Sequence, residues 1–326
     1  MISCPHVTIL VLNWNGEDII EECIDSLLQT EYKDFEIVVV DNASTDLSIS
    51  MLKKYKDIKV VIADKNLGYA GGNNFGFKHC NGVLIATLNN DIIVDKSWLN
   101  DIEKSFMEDS DLAIVSCRQM NYFNRDVIDA LFSFPTTHLL LGRMGYGLKY
   151  TENPLFTEKG YVIGANGASA IYRKKFLDES GGFEGSFFAY QEENDLHMRA
   201  FYHGWKCLYV PSAIVYHKGS YSFSKVKNTF YYYHERNRIW FLYRNFPMSL
   251  IIKYFPIILI REMRTIFNMV FLKRILLVYL RCRLDGFFGM WQFANVRKEN
   301  MKHYNARSKQ LKQFFNQKKI PLKSNL

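Results

Sequence analysis

Val83-Leu84-Ile85-Ala86-Thr87-Leu88-Asn89-Asn90-Asp91 is a short apolar run that ends in three polar residues. Such a run, bounded by turn residues, reads as a buried strand, most often of a parallel sheet, because helices on both faces leave it no wet side. In open α/β sheets ligands bind beyond the carboxyl ends of the strands. Asp91, with Asn89 two residues before it, therefore offers oxygens where a substrate lies. Oxygen donors suit Mg²⁺ or Mn²⁺, which hold phosphates through one or two carboxylates. The competing reading of the same triplet is a plain turn or helix cap.

Upstream, His6–Leu12 is a β-branched apolar run and hence a first strand, broken by Asn13-Trp14-Asn15-Gly16. Ile19, Ile20, Cys23, Ile24, Leu27 and Leu28 then recur at helical spacing, with Glu17 and Asp18 in the first turn. Phe35–Val40 is a second strand, ended by Asp41-Asn42-Ala43-Ser44-Thr45-Asp46; a helix to about Tyr55 and a third strand, Ile58–Ala63, follow. This β-α-β-α-β order predicts an α/β fold with a parallel sheet. Asn66–Gly76 is glycine-rich and leads into a helix, but fits neither the Walker nor the dinucleotide spacing. Its glycines suit either a close approach to a ligand or a simple helix entry.

Downstream, the pattern predicts a helix over Trp98–Glu108, a strand over Leu112–Cys117 and a long loop region over 118–160. Tyr161–Tyr172 reads as one strand of small residues, and a helix from Arg173 follows it. Glu192-Glu193-Asn194-Asp195 places three carboxylates at a helix N-terminus. That suits a solvated first turn, or a general base whose crowded neighbours raise its pKa. Cys207–Val210 and Ala213–Tyr216 are short strands, the second delivering His217.

With 326 residues, 48% apolar, the chain has ample core and no sign of disorder. Six scattered cysteines with no metal-ligand spacing predict a reducing compartment and no zinc site, and the N-terminus shows no secretory signal. Residues 1–225 carry 21 Lys and Arg against 29 Asp and Glu, a net −8; residues 226–326 carry 20 against 4, a net +16. A catalytic body over 1–225 and a basic helical segment over 226–326 are therefore expected. Tyr231–Arg244 is aromatic and basic, Met248–Ile260 is too short to span a bilayer, and Phe267–Leu284 mixes apolar residues with Lys and Arg. This pattern predicts amphipathic helices on an anionic membrane surface; a nucleic-acid arm would not need so many Ile, Leu and Phe. The polar tail from Lys298 is expected to be mobile.

The order of these motifs resembles the inverting glycosyltransferases of family 2: the Asn13-Trp14-Asn15-Gly16 break, Asp41–Asp46, Asn66–Gly76, Asn89-Asn90-Asp91, the Glu192–Leu196 cluster and His217. The resemblance covers roughly residues 5–245, and the branch is similar to bacterial rhamnosyltransferases of surface-glycan assembly. It implies a GT-A nucleotide-sugar-binding fold, a mostly parallel twisted sheet with flanking helices, here with C-terminal amphipathic helices added. Carried over by position, Asn13, Asn15, Asp41, Gly68, Asn73, Asn89, Asn90 and Asp91 bind the donor. Asp91, Asn89 and His217 hold Mg²⁺ or Mn²⁺. Glu193 is the base, with Glu192 or Asp195 as alternatives. The family's Asp-x-Asp has Asn89 at its first position here, and Glu193 stands where an Asp is usual. Gly164, Ala165 and Asn166 are expected to meet the acceptor.

The resemblance further implies a lipid-linked or oligosaccharide acceptor and an enzyme peripheral to the cytoplasmic face of the plasma membrane. dTDP-rhamnose is the first donor expected, with UDP-GlcNAc, UDP-galactose or UDP-galactofuranose as alternatives. Two other classes compete. A sugar nucleotidyltransferase would need a basic Gly-rich loop after the first strand, and a non-catalytic membrane adaptor would tolerate loss of the acidic cluster.

Overall fold

The computed structural model describes residues 6–219 and 227–316. β1 (Val7–Asn13), α1 (Ile20–Leu28), β2 (Phe35–Asp41), α2 (Ser48–Leu52), β3 (Lys59–Ile62), α3 (Gly68–Phe77) and β4 (Leu84–Asn89) alternate strand and helix. β1 pairs in parallel with both β2 and β4, and β2 with β3. The register sets Asn13 opposite Asp41 and Leu12 opposite Asn89, so the polar strand ends line one rim of the sheet. The core strands are buried on both faces, which is why they read as continuous apolar runs.

The sheet continues with β5 (Ile92–Val94), then α4 (Ile102–Glu108) and β6 (Leu112–Asn121). Next come β7 (Ile128–Ala130), a hairpin of β8 (Ser133–Pro135) and β9 (Leu141–Arg143), and the single turn α5 (Pro154–Thr157). β10 (Gly160–Val162), β11 (Ser169–Arg173), α6 (Lys174–Ser180), α7 (Glu192–His203) and β12 (Lys206–His217) complete this part. The strand order is β10-β12-β6-β11-β4-β1-β2-β3, with β11 antiparallel to its neighbours β4 and β6.

Several expectations change here. Residues 118–160 are not one long loop: β6 runs on to Asn121, and β7, the β8–β9 hairpin and α5 fill the rest. Tyr161–Tyr172 is two strands, because the chain breaks off over 163–168 to cross the end of β4. The two short strands at 207–216 are one, β12, irregular between Val210 and Ile214 where Pro211 supplies no N–H to the ladder. The glycines of Asn66–Gly76 lie mostly inside α3. A Cβ on Gly72 or Gly76 would meet Leu12 or Leu10 at 2.5–2.6 Å, so they let the helix settle on β1 rather than on a ligand.

The C-terminal part is helical: α8 (Lys227–Asn245), α9 (Met248–Ile266), a π-helical turn over Phe267–Leu272, α10 (Leu276–Gly289) and α11 (Ala294–Asn316). α8 does not lie free on a surface. Trp240, Phe241 and Phe246 share a core with Ile163, Phe187, Met198 and Phe201. Nor is the stretch from Lys298 loose, since α11 seats Leu311 in that core and Asn300 against the carbonyl of Arg244 at 3.1 Å. Residues 317–326 lie outside the described residues.

Candidate active site

Two strand-end turns make the first wall. Asp41 is fully buried and accepts from the Asn13 Nδ2 at 2.9 Å and from the Ser44 N–H at 2.8 Å. Asn13 in turn accepts from Asn90 Nδ2 at 2.7 Å, so the ends of β1, β2 and β4 are linked through side chains. Asn15 and Ala43 both sit in the left-handed region (φ 50° and 60°), and Asn15 Oδ1 accepts from the Thr45 N–H at 2.8 Å. Strained backbone of this kind persists where surrounding structure enforces it, commonly at functional sites. A Cβ on Gly16 would stand 2.3 Å from both Asn13 Oδ1 and Asn90 Nδ2. Gly16→Ala is therefore expected to break that link and lower stability by about 1–3 kcal/mol, read by thermal denaturation; an unchanged melting curve would show that the turn yields freely.

The second wall joins α3 to α7. Gly68 adopts φ +72° directly under the Phe188 carbonyl, which accepts from the Ala70 N–H at 3.1 Å. Asn73 is buried with its Nδ2 on the Tyr69 carbonyl, and the Tyr69 hydroxyl donates to the carbonyl of Gly167. The 163–168 crossing thus lies between the two walls. Its Ala168 carbonyl accepts from the Asn89 N–H at 3.1 Å, and Gly167 approaches the Glu193 carboxyl so closely that a Cβ would sit 3.3 Å away. Gly164 packs on the His197 ring and Ala165 is fully buried, so neither turns a side chain to open space; Asn166 is buried with its Nδ2 lacking a partner.

Glu192 and Glu193 open α7 in a first turn whose N–H groups favour an anion. Burial overrides that. Desolvation and the neighbouring Glu193 charge push the Glu192 pKa well above the ordinary range. Glu193, half-buried, is also raised by desolvation, less so because backbone N–H groups and a hydrogen bond from Glu192 favour its charge. Both carboxyls are raised, Glu192 further than Glu193, so Glu193 is the member that keeps its charge more readily.

Asp195 sits three residues from Glu192 but serves otherwise. Burial alone would raise its pKa; the charges of Arg244 and Arg199 hold it below the usual carboxylate range. Arg244 donates to its two oxygens at 2.7 and 3.0 Å, Arg199 at 3.0 Å and Asn245 at 3.0 Å. A carboxylate so engaged is no proton acceptor, and the expectation that Asp195 supplies the base is corrected on that ground.

Asp91 and His217 meet although they lie far apart in sequence: β12 pairs with β5 so that His217 faces Ile92. His217 Nε2 is 3.4 Å from Asp91 Oδ2, and its Nδ1 is 2.9 Å from Asp129 Oδ2 on β7. Burial would lower the imidazole pKa, but the two carboxylates outweigh it and push it up to about 10. Asp91 Oδ1 is buried without a hydrogen-bond partner. Among the described residues no three His, Cys, Asp or Glu side chains converge as a metal cluster. Asp91, and His217 once its Nε2 gives up the proton that the two carboxylates hold there, offer a pair of ligands to a cation that takes its others from phosphate and water. Asn89, at the end of β4, is half-buried.

Sequence reasoning missed four contributors. Asp129 fell in the presumed loop. Asn237 Nδ2 donates to the carbonyls of Phe187, Ala189 and Tyr190 at 2.7–2.8 Å, and Arg236 to those of Ser186 and Phe187. They pin a segment in which Phe188, Tyr190 and Gln191 all have φ between 66° and 72°, immediately before Glu192. Arg244 was read as part of a basic, aromatic helix on an anionic membrane surface. None has a local signal, since each acts through a partner 40 or more residues away.

Residues 8–181, more than half of the chain, match the model of Glycosyl transferase family 2. The chain belongs to this family. An uncharacterized glycosyltransferase of Haemophilus influenzae is 33% identical over 115 residues, 34% of this chain and 35% of that protein. The O-antigen biosynthesis protein RfbC of Myxococcus xanthus is 28% identical over 201 residues, 56% of this chain and 15% of that protein. The chain thus spans about a third or less of these relatives. The Staphylococcus aureus TarS fragment 1–349 with UDP-GlcNAc superposes with a TM-score of 0.58 at 16% identity, over 94% of this chain and 91% of that one. The mannosyltransferase PcManGT of Pyrobaculum calidifontis with GDP-Man and Mn²⁺ gives 0.52 at 17% identity, covering 73% and 63%. At such identities the likeness establishes the GT-A fold.

Proposed function

We propose that this family 2 protein is an inverting glycosyltransferase that moves one sugar from a nucleotide-sugar to a hydroxyl of a lipid-linked or oligosaccharide acceptor in surface-glycan assembly. The observation that carries the reading is the Glu192–Glu193 pair at the start of α7, with the Glu193 carboxyl set against Gly167 of the 163–168 crossing that also closes the end of β4 at Asn89. A base with raised pKa works near neutral pH. The turns bound together by Asn13, Asn15 and Asp41 support the nucleoside, and Gly68 and Asn73 keep the edge of α3 close to the diphosphate.

In the chemical step Glu193 takes the proton from the acceptor hydroxyl as its oxygen attacks the anomeric carbon. The bond from that carbon to the diphosphate breaks on the opposite face, and the electron pair leaves with the diphosphate. One displacement inverts the centre. Asp91 Oδ1 and His217 Nε2, with Asn89 nearby in sequence, would hold Mg²⁺ or Mn²⁺, which when bound neutralises charge on the leaving diphosphate. Asp129 fixes the imidazole so that Nε2 faces Asp91, the usual outer-shell arrangement for a ligating His. Asp91→Ala is expected to abolish Mn²⁺ binding, followed by electron paramagnetic resonance, together with turnover; retained binding would return Asp91 to a turn role.

dTDP-rhamnose is the first donor proposed, with UDP-GlcNAc, UDP-galactose and UDP-galactofuranose next; the relative named for O-antigen biosynthesis supports a surface-glycan setting. A mass-spectrometric screen of these donors on a short lipid-linked GlcNAc acceptor tests the reading. Product from one donor, absent with Glu193→Gln, is the expected result. Absence of donor binding across the panel would overturn it.

A further inference from the structure

Between Phe246 and Lys298 the chain carries eight Lys and Arg against two acids, Glu262 and Asp285. The structure separates this stretch into a closed polar side and an open apolar one. Glu262 of α9 accepts from Arg283 of α10 at 2.6 Å and from the Tyr279 hydroxyl at 2.9 Å, and Arg283 reaches Glu235 of α8 at 2.8 Å. Arg238 pairs with both acids. This network faces inward, onto α8.

The opposite side is uncovered. Along α9, Ile252, Phe255, Leu259 and Met263 recur at one-face spacing and are 46–66% exposed; Phe267 and Phe271 continue the stripe through the π-helical turn. Along α10, Leu277, Leu280, Leu284 and Phe288 do the same, with Leu277 80% and Phe288 69% exposed, and Trp291 extends the row. The five Phe and one Trp of this side that are more than half exposed (Phe255, Phe267, Phe271, Phe287, Phe288, Trp291) present on the order of 700 Å² between them. That already exceeds the largest apolar patch of a typical soluble monomer. No helix among the described residues is long and apolar enough to cross a membrane.

Charge decides the occupant. The turn between the helices carries Lys273 and Arg274, the latter at φ 55°, and Lys253, Arg264 and Arg281 flank the stripes, all exposed. Asp285, the one acid not in the Glu262 network, pairs with Arg281 at 3.6 Å and accepts from the Tyr232 hydroxyl at 2.5 Å. A patch rimmed by cations with its acids internally paired would repel an identical cationic copy. It matches a bilayer that offers acyl chains to the stripes and anionic headgroups to the rim. We infer that the α9–α10 hairpin is a monotopic docking face that lies in the headgroup and upper acyl region of an anionic bilayer. The inference rests on these exposures and charges, independent of the transfer chemistry, and goes beyond the sequence reading by excluding α8 from the contact and naming the residues that enter the lipid.

The test is flotation of the full chain with vesicles of phosphatidylcholine alone or with 30% phosphatidylglycerol. Wild type is expected to float with the anionic vesicles at least tenfold more than with the neutral ones, and less so as salt rises. Leu277→Glu/Phe288→Glu is expected to lose binding at least tenfold. Both positions are exposed, so the variant keeps its circular dichroism. Lys273→Glu/Arg274→Glu is expected to lose the anionic preference. Brominated acyl chains should quench Trp291, and Trp291→Phe should remove most of that quenching. Failure of wild type to float would overturn the inference. So would equal binding by the Leu277→Glu/Phe288→Glu variant, or a dimer in sedimentation equilibrium that this variant dissolves, which would make the occupant a second copy. Flotation is read without a donor, so it can succeed or fail separately from transfer.

Discussion

Glu193→Gln is expected to lower kcat about 10²–10⁴-fold, the range for loss of a general base, while Glu192→Gln keeps transfer within roughly tenfold. The asymmetry follows from the unequal shifts of the two carboxyls. Glu192, buried next to Glu193, is pushed further toward its neutral form, and an amide of the same shape can still donate to Glu193. Glu193 is the member that backbone N–H groups and Glu192 keep ionised, and an amide there can accept no proton. Donor binding should survive in both variants, which titration calorimetry with the nucleotide-sugar checks. The acid limb of kcat/KM should lie above the usual carboxylate range near 4.3, since both pKa values are raised. Equal losses in the two variants, or full activity of Glu193→Gln, would assign the base elsewhere.

Arg244→Met is expected to destabilise the fold by about 3–5 kcal/mol, the cost of stranding one member of a buried ion pair. Arg244 is 2% exposed and Asp195 is fully buried, so solvent cannot compensate the abandoned carboxylate. Arg199 would remain as partner, but it is anchored on the carbonyls of Ser180 and Gly182 at 2.7–2.8 Å and cannot follow. The variant also loses the Glu184 contact at 3.0 Å and the stacking of the guanidinium over Phe293 at 4.5 Å. The expected drop in Tm is roughly 10 °C. Asp195 has a lowered folded pKa, so the pair's contribution is present above about 3.9, the unfolded aspartate value, and drains as pH falls through the lower folded value. The wild-type and variant stabilities should therefore converge only in acid. A loss below about 1 kcal/mol at neutral pH would mean that Asp195 is served well enough by Arg199 and Asn245.

The Asp195–Arg244 link also ties the acid pair to the α9–α10 hairpin. α7 carries Glu192 and Glu193 and meets α8 through Asp195; α8 meets α9 and α10 through Glu235. Asn237 on the same helix clamps the 187–190 segment. The proposed docking face and the proposed base therefore stand on one connection of buried charges and amide bonds.

From the sequence alone, the alternation of strands and helices through β4, and the polar strand ends at Asn13, Asp41 and Asn89–Asp91, were legible. Both are local signals: a buried strand and an amphipathic helix each declare themselves within a few residues. The order of the motifs carried the family as well. The tertiary structure decided the rest, because burial and charge pairing are sums over distant neighbours. It separated Glu193 from Glu192 by unequal desolvation and hydrogen bonding, and withdrew Asp195 by bringing Arg244 from 49 residues away. It joined His217 to Asp129 across 88 residues. It also split the basic C-terminal segment: Arg238, Arg244 and Arg283 neutralise buried acids, while Lys273 and Arg274 stay on the rim of the apolar stripes. A composition count treats those five cations alike; only their partners distinguish them.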